Sequence, residues 1–475
     1  MLLVRGGTIV TPAGTSIGDV LVDGELIAAV SPNLDAAGCE VLDASGALVI
    51  PGAIDAHTHL DLPVGAVRSA DDFESGTVAA ACGGTTCVVD FAGAGREPPE
   101  EALREWHAKA KGRASIDYGF HITVTSVPEE PDDAARLFRW FVSEGVTSVK
   151  LYLAYPDRLM VDEATLLRAL VAARETGVLV CVHAEDGMDA VRRTEETLAA
   201  GHTGPAGLSI ARPPQIEAAA VRRAAALAAQ AGASVYVVHL SSAAGLEAVR
   251  EARARGAHVL AETCPQYLYL TDRALEGPAQ EAANFVCVPP LRGDADREAL
   301  WHALFEGELD TVSTDHCPFT REDRRRGVHA DPGGWANFTQ IPGGLPGIET
   351  RVALLYAGVR DGALSLERWV DLIAAAPARL FGLAGRKGAV EAGMDADLVV
   401  FDPAATRRLD AASLHMRTDH SPYEGMTLTG WPAVTIARGR IVAREGEPAD
   451  VEPGWGRFVP RKPGLPPPPE NGLGS

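Results

Sequence analysis

Six residues spread along the chain have side chains that could bind metal ions. They are His57, His59, Lys150, His183, His239 and Asp315. Imidazole nitrogens and carboxylate oxygens are ordinary ligands for zinc, manganese and other divalent ions. Two metals held close together can share a water molecule and deprotonate it near neutral pH, so the chemistry that this set indicates is metal-assisted hydrolysis.

Taken singly, most of these residues have a simpler interpretation. His57 and His59 would point to the same face of a strand, which suits chelation, but such pairs also arise by chance. His183 or His239 alone is typical of a hydrogen-bonded histidine at a strand end. Asp315 alone could cap the next helix or turn. The case for a metal site therefore depends on whether the fold brings the residues together.

Lys150 is unusual because it lies in the mostly apolar run 146–153. A buried lysine is rarely tolerated without a partner. One interpretation is an ion pair with a nearby carboxylate. The other is that the amine has reacted with carbon dioxide, which gives an anionic carbamate that can bridge two metals.

The elements that must position these residues are short apolar runs that alternate with helical stretches such as 162–176 and 218–231. The runs are 48–54, 85–91, 118–124, 147–153, 178–182, 234–239, 258–263 and 310–314. Eight such runs predict an α/β fold with a closed (β/α)₈ barrel. A doubly wound open sheet is the alternative, but no glycine-rich dinucleotide fingerprint follows any run. In a barrel all six residues fall at or near the carboxyl ends of strands, where such folds carry their chemistry.

Both ends of the chain are rich in short strands and turns. We expect residues 1–50 and 385–459 to pair into a smaller, β-sandwich-like domain beside a barrel of residues 51–384. Residues 460–475 form a tail, and prolines 466–469 make it a poor core former.

Composition excludes several classes of function. The net charge is −21, and the one basic run, Arg321 with Arg324, Arg325 and Arg326, is interpreted as a solvated loop, so we expect no nucleic-acid partner. Seven cysteines without a CxxC pair predict a cytoplasmic protein rather than a disulfide framework. We predict no signal peptide and no membrane span.

The chain resembles the dihydropyrimidinase and D-hydantoinase family of the amidohydrolase superfamily over nearly its whole length. The motifs that carry the resemblance occupy positions 51–59, 71–77, 83–86, 150–155, 183–185, 239–242, 289–292, 313–319, 341–349 and 393–398. The resemblance implies hydrolysis of dihydropyrimidine or 5-substituted hydantoin rings to N-carbamoyl amino acids. It also implies a homotetramer.

The resemblance implies a role for each site residue. His57, His59 and Asp315 would hold one divalent metal ion and His183 and His239 a second, and the expected ion is zinc. Carboxylated Lys150 would bridge the two metals, which share the attacking hydroxide.

Four residues would act on the substrate. Asp315 would serve as general base and then acid. Tyr155 would donate a hydrogen bond to the developing oxyanion. Backbone groups of Val288 and Gly343 would hold the imide face of the ring.

Three positions depart from the family pattern. The chain has Val288 where serine is common, Gly343 where asparagine is usual, and Tyr152 where phenylalanine is expected. We expect Tyr152 to line the pocket for the ring substituent, together with Leu60, Leu62, Val64 and Leu159.

Related enzymes and proteins offer alternatives. A dihydroorotase carries arginine where this chain has Asp61, which would repel an acidic substrate. An allantoinase-like ureide hydrolase lacks the tyrosine that Tyr155 supplies. A non-catalytic signalling scaffold on the same fold loses metal ligands, whereas all six are present here.

Overall fold

The computed structural model describes residues 1–156, 158–330, 333–449 and 454–464. Prolines 466–469 of the expected tail lie outside these ranges.

The strands fall into a barrel, a second sheet and a short hairpin. In chain order they are β1 (Leu2–Thr11), β2 (Gly14–Asp23), β3 (Leu26–Ser31), β4 (Glu40–Asp43), β5 (Leu48–Pro51), β6 (Ala53–Thr58), β7 (Pro63–Val64), β8 (Val67–Arg68), β9 (Thr85–Ala92), β10 (Asp117–Thr123), β11 (Ser148–Tyr152), β12 (Leu179–His183), β13 (Val235–Val237), β14 (Val259–Thr263), β15 (Thr311–Val312), β16 (Leu398–Arg408), β17 (Thr427–Ala437), β18 (Arg440–Arg444) and β19 (Glu447–Pro448).

The helices lie mostly between the barrel strands. They are α1 (Phe73–Cys82), α2 (Pro99–Ala110), α3 (Pro131–Ser143), α4 (Glu163–Thr176), α5 (Gly187–Ala199), α6 (Gly207–Ala211), α7 (Pro214–Ala231), α8 (Ala243–Ala254), α9 (Pro265–Tyr269), α10 (Ala279–Ala282), α11 (Asp294–Phe305), α12 (Arg321–Arg326), α13 (Arg351–Arg360), α14 (Leu366–Val370) and α15 (Ala376–Leu380).

Eight parallel strands form the barrel, in the order β6, β9, β10, β11, β12, β13, β14 and β15. The first and eighth strands meet through a parallel bridge between Thr58 and His316, and the His59 amide donates to the His316 carbonyl at 2.9 Å. This contact closes the barrel. The predicted (β/α)₈ architecture is confirmed.

Local sequence accounts for where the helices begin and end. The Asp162 side chain accepts a hydrogen bond from the Thr165 amide, so α4 begins one residue after the expected start. The same helix ends at Gly177, whose φ of 75° suits a residue without Cβ. Helix α7 begins at Pro214, four residues before its expected start, because proline is favoured in the first helical turn.

The second sheet takes strands from both ends of the chain, as expected. Its nine strands are β1–β5 and β16–β19. The two groups join where β5 pairs antiparallel with β16, with Leu48 opposite Phe401 and Pro51 opposite Leu398. The strand expected at 48–54 is therefore two strands, since β5 belongs to this sheet and β6, after Gly52, opens the barrel.

A buried ionic cluster joins the barrel to the second sheet. The Lys387 ammonium lies 2.8 Å from Asp117 at the start of β10 and 3.2 Å from Asp395, and it also contacts Asp397 just before β16. The three carboxylates lie close enough to hold a metal ion, but the ammonium already occupies the space between them. We interpret the cluster as structural.

The visible part of the tail packs against the barrel. The Arg461 side chain is buried and donates to the Ser148 hydroxyl at 3.0 Å and to the Phe120 carbonyl. Within the described ranges no helix is long and apolar enough to cross a membrane.

Candidate metal centre

The barrel brings the predicted ligands together in two adjoining groups. In the first group, Asp315 Oδ1 lies 3.0 Å from His57 Nε2 and 3.1 Å from His59 Nε2. In the second, His183 Nδ1 and His239 Nε2 are 3.0 Å apart. The rings of His57 and His239, one from each group, have centroids 5.5 Å apart.

The residues of both groups fit a metal ion. All five side chains are largely or fully buried. Within the described residues His57 Nε2 makes no hydrogen bond despite its closeness to Asp315. His183 Nδ1 and His239 Nε2 have only each other, so at least one of these nitrogens lacks a proton to share. Buried nitrogens in such positions are costly unless something binds their lone pairs.

Lys150 lies in β11, which pairs with the strand β12 that carries His183, and it is almost fully buried. Its ammonium is 4.8 Å from the Phe91 ring centroid and 5.2 Å from that of Tyr152. In the part of the chain that the structure describes, no carboxylate forms a salt bridge with it. The ion-pair interpretation therefore lacks its partner. Burial lowers the pKa of Lys150 to about 8.

Glu262 was missed in the sequence, and it fixes the orientation of His57. This buried carboxylate contacts His57 Nδ1 and accepts a hydrogen bond from the Tyr236 hydroxyl at 2.8 Å. Burial opposes the charged form of His57, but Glu262 and Asp315 outweigh it and raise the pKa to about 9. The sequence signal that could have revealed Glu262 is a single charged residue in the apolar run 258–263, just as Lys150 is a single charged residue in an apolar run.

Glu185 fixes the orientation of the His183 ring, as Glu262 does for His57. His183 Nε2 is 2.9 Å from the Glu185 carboxylate, which also pairs with Arg212 at 2.5 Å. Although burial opposes it, the Arg212 guanidinium and His183 lower the pKa of Glu185 to about 2. A carboxylate at Nε2 leaves Nδ1 of the same ring free to bind a metal, which is the usual arrangement around metal-bound histidines.

Three site residues have unusual backbone geometry. His239, Asp315 and Tyr155 have φ angles of 41°, 53° and 64°, although none is a glycine. Such angles cost energy and persist where the surroundings fix them, often at functional sites. The rings of His239 and Tyr155 lie close to that of His183, with centroids 4.7 and 5.4 Å away.

Tyr155 lies against the second group of ligands. Its ring centroid is 5.4 Å from that of His183, and the Arg212 guanidinium lies 5.3 Å from the tyrosine ring. Burial raises the pKa of Tyr155 to about 12, so the phenol keeps its proton at neutral pH. It can therefore donate a hydrogen bond.

Val288 and Gly343 lie side by side. A Cβ added to Gly343 would lie 3.0 Å from a methyl group of Val288. The segment that contains Gly343 runs beside the extension of β15, where the Cys317 amide donates to the Leu345 carbonyl at 3.1 Å. Cys317 follows Asp315 by two residues in the chain, so this hydrogen bond brings the segment close to Asp315.

Three sequence interpretations change in the structure. Leu60 is fully buried against Gly76 of α1, so it belongs to the core rather than to an open pocket. Asp61 pairs with Arg68 at 2.9 Å, so its charge is compensated and the argument that it repels acidic substrates loses force. Arg324 is 1% exposed, so the solvated interpretation of the basic run is wrong for this residue.

Tyr152 lies against His183, one of the candidate metal ligands. Its ring stacks on His183 with centroids 5.6 Å apart, and it meets the Tyr155 ring edge-on at 6.1 Å. The side chain is half-buried.

Comparison with known proteins identifies the family. The model of the Amidohydrolase family matches residues 48–442. The chain belongs to the amidohydrolase family. It is 44% identical to a D-hydantoinase of Geobacillus stearothermophilus over 97% of this chain and 96% of that protein. It is 42% identical to a D-hydantoinase of Rhizobium radiobacter over 94% and 95% of the two chains.

Solved structures agree with this assignment. The crystal structure of a dihydropyrimidinase from Brevibacillus agri matches with a TM-score of 0.93 and 42% identity, over 98% of this chain and 99% of that one. These matches confirm the prediction of a metal-dependent cyclic amidohydrolase that uses divalent metal. They favour neither an allantoinase-like enzyme nor a non-catalytic scaffold.

Proposed function

We propose that this enzyme opens dihydropyrimidine and 5-substituted hydantoin rings by hydrolysis and releases N-carbamoyl amino acids. The observation that carries the proposal is the convergence of five side chains in two adjoining groups at one end of the barrel, namely His57, His59, Asp315, His183 and His239. Lys150 is buried in the strand beside the one that carries His183. The relatives named D-hydantoinase support D-5-substituted hydantoins as substrates. The dihydropyrimidinase structure from Brevibacillus agri supports dihydropyrimidines as substrates.

His57, His59 and Asp315 would hold one ion, and His183 and His239 the other. The predominance of imidazole nitrogen over carboxylate oxygen supports zinc, because harder ions such as magnesium and manganese prefer oxygen ligands. Two such ions would make water nucleophilic at neutral pH and polarise the ring carbonyl.

Lys150 would bridge the two positions as a carbamate. Its neutral amine attacks carbon dioxide, forms an N–C bond and loses one proton, so the lysine becomes an anion. A buried amine with a pKa near 8 and no carboxylate partner in the described chain supports this reaction, because the neutral form is accessible and the interior favours removal of an unpaired positive charge.

The remaining groups would act on the substrate. Asp315 would accept a proton from the attacking water and pass it to the ring nitrogen as the C–N bond breaks. The protonated Tyr155 would donate to the oxygen of the attacked carbonyl as negative charge develops there. Val288 and Gly343 would bind the imide side of the ring through their backbones, and Tyr152 would contact the ring substituent.

The test is a hydrolysis panel of dihydrouracil, D- and L-5-substituted hydantoins, allantoin and dihydroorotate. Metal is measured on the same sample. We expect turnover of the first two classes. Turnover of allantoin or dihydroorotate alone would contradict the proposal.

Lys150→Ala tests the bridge, with Lys111→Ala at an exposed position as the control. We expect the Lys150 variant to lose both metal and turnover, and Lys111→Ala to keep both. Growth with ¹³C-labelled carbon dioxide should give a carbamate signal in the wild type that Lys150→Ala lacks. Full metal content and activity in the Lys150 variant would exclude the bridge.

We further propose a homotetramer in the cytoplasm. The full-length similarity to the relatives and the seven cysteines without a disulfide support these two statements. Light scattering of the purified protein measures the first.

A further inference from the structure

Arg324 is a buried cation that belongs to neither group of candidate metal ligands, so the metal site does not explain why it is buried. It lies in α12, where Arg325 and Arg326 are exposed and Arg324 alone points inward. Within the described chain it forms no salt bridge, and its Nε makes no hydrogen bond. Burial lowers the pKa of Arg324 to about 10, so the guanidinium is still charged at neutral pH. An unpaired buried charge costs stability.

Its hydrogen bonds go to the backbone on both sides of Gly343. One terminal nitrogen donates to the Pro342 carbonyl at 3.1 Å, and the other donates to the Gly344 carbonyl at 2.7 Å. A planar guanidinium offers several donors in fixed directions, so these two bonds set the orientation of the intervening backbone. Glycine has no side chain to do this, and it is the residue least able to hold one conformation by itself.

This arrangement leaves the amide and the carbonyl of Gly343 itself available for a ligand. The Gly344 amide donates to the Val286 carbonyl at 3.0 Å, but in the described residues neither the amide nor the carbonyl of Gly343 has a backbone or side-chain partner. The Pro342 carbonyl and the Gly343 amide belong to one peptide unit. A charged donor on that carbonyl therefore polarises the unit and makes the Gly343 amide a stronger donor.

The segment that carries Arg324 also contacts the hairpin at the barrel mouth. The Ala66 amide, between β7 and β8, donates to the Val328 carbonyl at 2.7 Å, and the Val328 amide donates to the Gln340 carbonyl at 2.8 Å. The hairpin, α12 and the segment around Gly343 are thus joined by backbone hydrogen bonds, and the buried Arg324 side chain lies among them.

We propose that Arg324 is a positioning residue for substrate binding, which holds the peptide units around Gly343 so that the Gly343 amide and carbonyl face the ring. The proposal rests on the proposed function, because it assumes that a cyclic amide binds at this backbone. Arg324 acts through Gly343 and does not touch the reacting atoms. Its loss therefore weakens binding of the ground state and the transition state alike, which raises KM and leaves kcat nearly unchanged.

The experiment compares Arg324→Met, Arg324→Lys and Arg325→Met in the metal-loaded enzyme. Arg325 is the matched control because it is the next residue of the same helix, is exposed and, among the residues that the structure describes, pairs with Glu322 alone. We expect Arg324→Met to raise KM for the best hydantoin or dihydropyrimidine by about 10-fold, with kcat within about twofold and metal content unchanged. Lysine keeps the charge and can reach one carbonyl, so Arg324→Lys should recover part of the loss. Arg325→Met should match the wild type.

Hydrogen–deuterium exchange of the 341–349 peptide gives a readout that does not depend on turnover. Arg324→Met should exchange faster there than Arg325→Met. An active wild type together with an unchanged KM and unchanged exchange in Arg324→Met overturns the proposal and leaves the proposed function standing. A wild type that opens no ring in the panel removes the proposed function, and the role of Arg324 in binding falls with it. A fall in kcat and metal content at constant KM would show a structural role at the metal centre instead.

Discussion

The phenol of Tyr155 is held next to His183 by a backbone in the left-handed region. A residue that accepts this strain keeps its side chain in one place, and pre-placed donors are effective because they need no reorganisation as charge develops. In the proposed mechanism Tyr155 therefore has a role distinct from that of the candidate metal ligands, because it would face the substrate carbonyl.

Tyr155→Phe separates these two roles. The variant keeps the ring that packs on His183 and loses only the hydroxyl. We expect metal content to be unchanged and kcat to fall by about 100-fold, which is typical when one donor to an oxyanion is removed. Steady-state kinetics with metal analysis measures both quantities, and a kcat equal to that of the wild type would remove the oxyanion role.

Among the site residues, those that could be predicted from the sequence are the ones whose type is unusual for the surrounding residues. Lys150 and the HxH pair stand out by type and spacing. Glu262 carries the same signal but has no motif around it. Arg324 could not have been found, because its neighbours Arg325 and Arg326 have the same type, and only the helix phase decides which one of the three points inward.

At the scale of the elements, the sequence located seven of the eight barrel strands and merged the first with its neighbour in the second sheet. Buried barrel strands are continuous apolar runs, and seven of the eight predicted runs overlap the observed strands to within about two residues at each end. The first run failed because β5 and β6 are both apolar and only Gly52 separates them. Periodicity alone cannot assign two successive buried strands to different sheets.

Lys387→Met tests the joint between the barrel and the second sheet. The substitution leaves Asp117 and Asp397 buried without their ammonium partner. Breaking a buried pair from one side costs about 3–5 kcal/mol, so we expect the free energy of unfolding to fall by that amount.

Urea unfolding of Lys387→Met beside the exposed control Lys111→Met measures this change. Metal bound per folded chain should be the same in both, because the cluster is separate from the ligands. A change below about 1 kcal/mol would mean that Arg438, which also pairs with Asp117 at 3.0 Å, suffices.

At the scale of the whole molecule, the candidate metal ligands come from strands that are distant in sequence. His57 and Asp315 lie at the ends of the first and eighth strands, and His183 and His239 at the ends of the fifth and sixth. Ions bound there would hold the barrel mouth together in the folded chain only. Binding to the native state alone raises stability with the concentration of free ligand.

Metal removal should therefore lower the melting temperature as well as stop turnover. At a free metal concentration 100 times Kd the stabilisation is about 2.7 kcal/mol, and dialysis against a chelator should remove it. Calorimetry of the apo and metal-reloaded protein measures the difference. Equal melting temperatures at measured full and zero metal content would contradict a site that spans these strands.

The pairing of β5 with β16 has a consequence for how the protein is made. About 350 residues separate Leu48 from Leu398, so at a synthesis rate of about 5–20 residues per second the first strands wait roughly 20–70 s for their partner. During that time β5 presents an open edge of buried, apolar residues on the ribosome. Such edges recruit other chains. The yield of soluble enzyme should therefore depend on the rate of translation and on chaperones that hold unfolded chains. The stability of the folded protein alone would not predict this dependence.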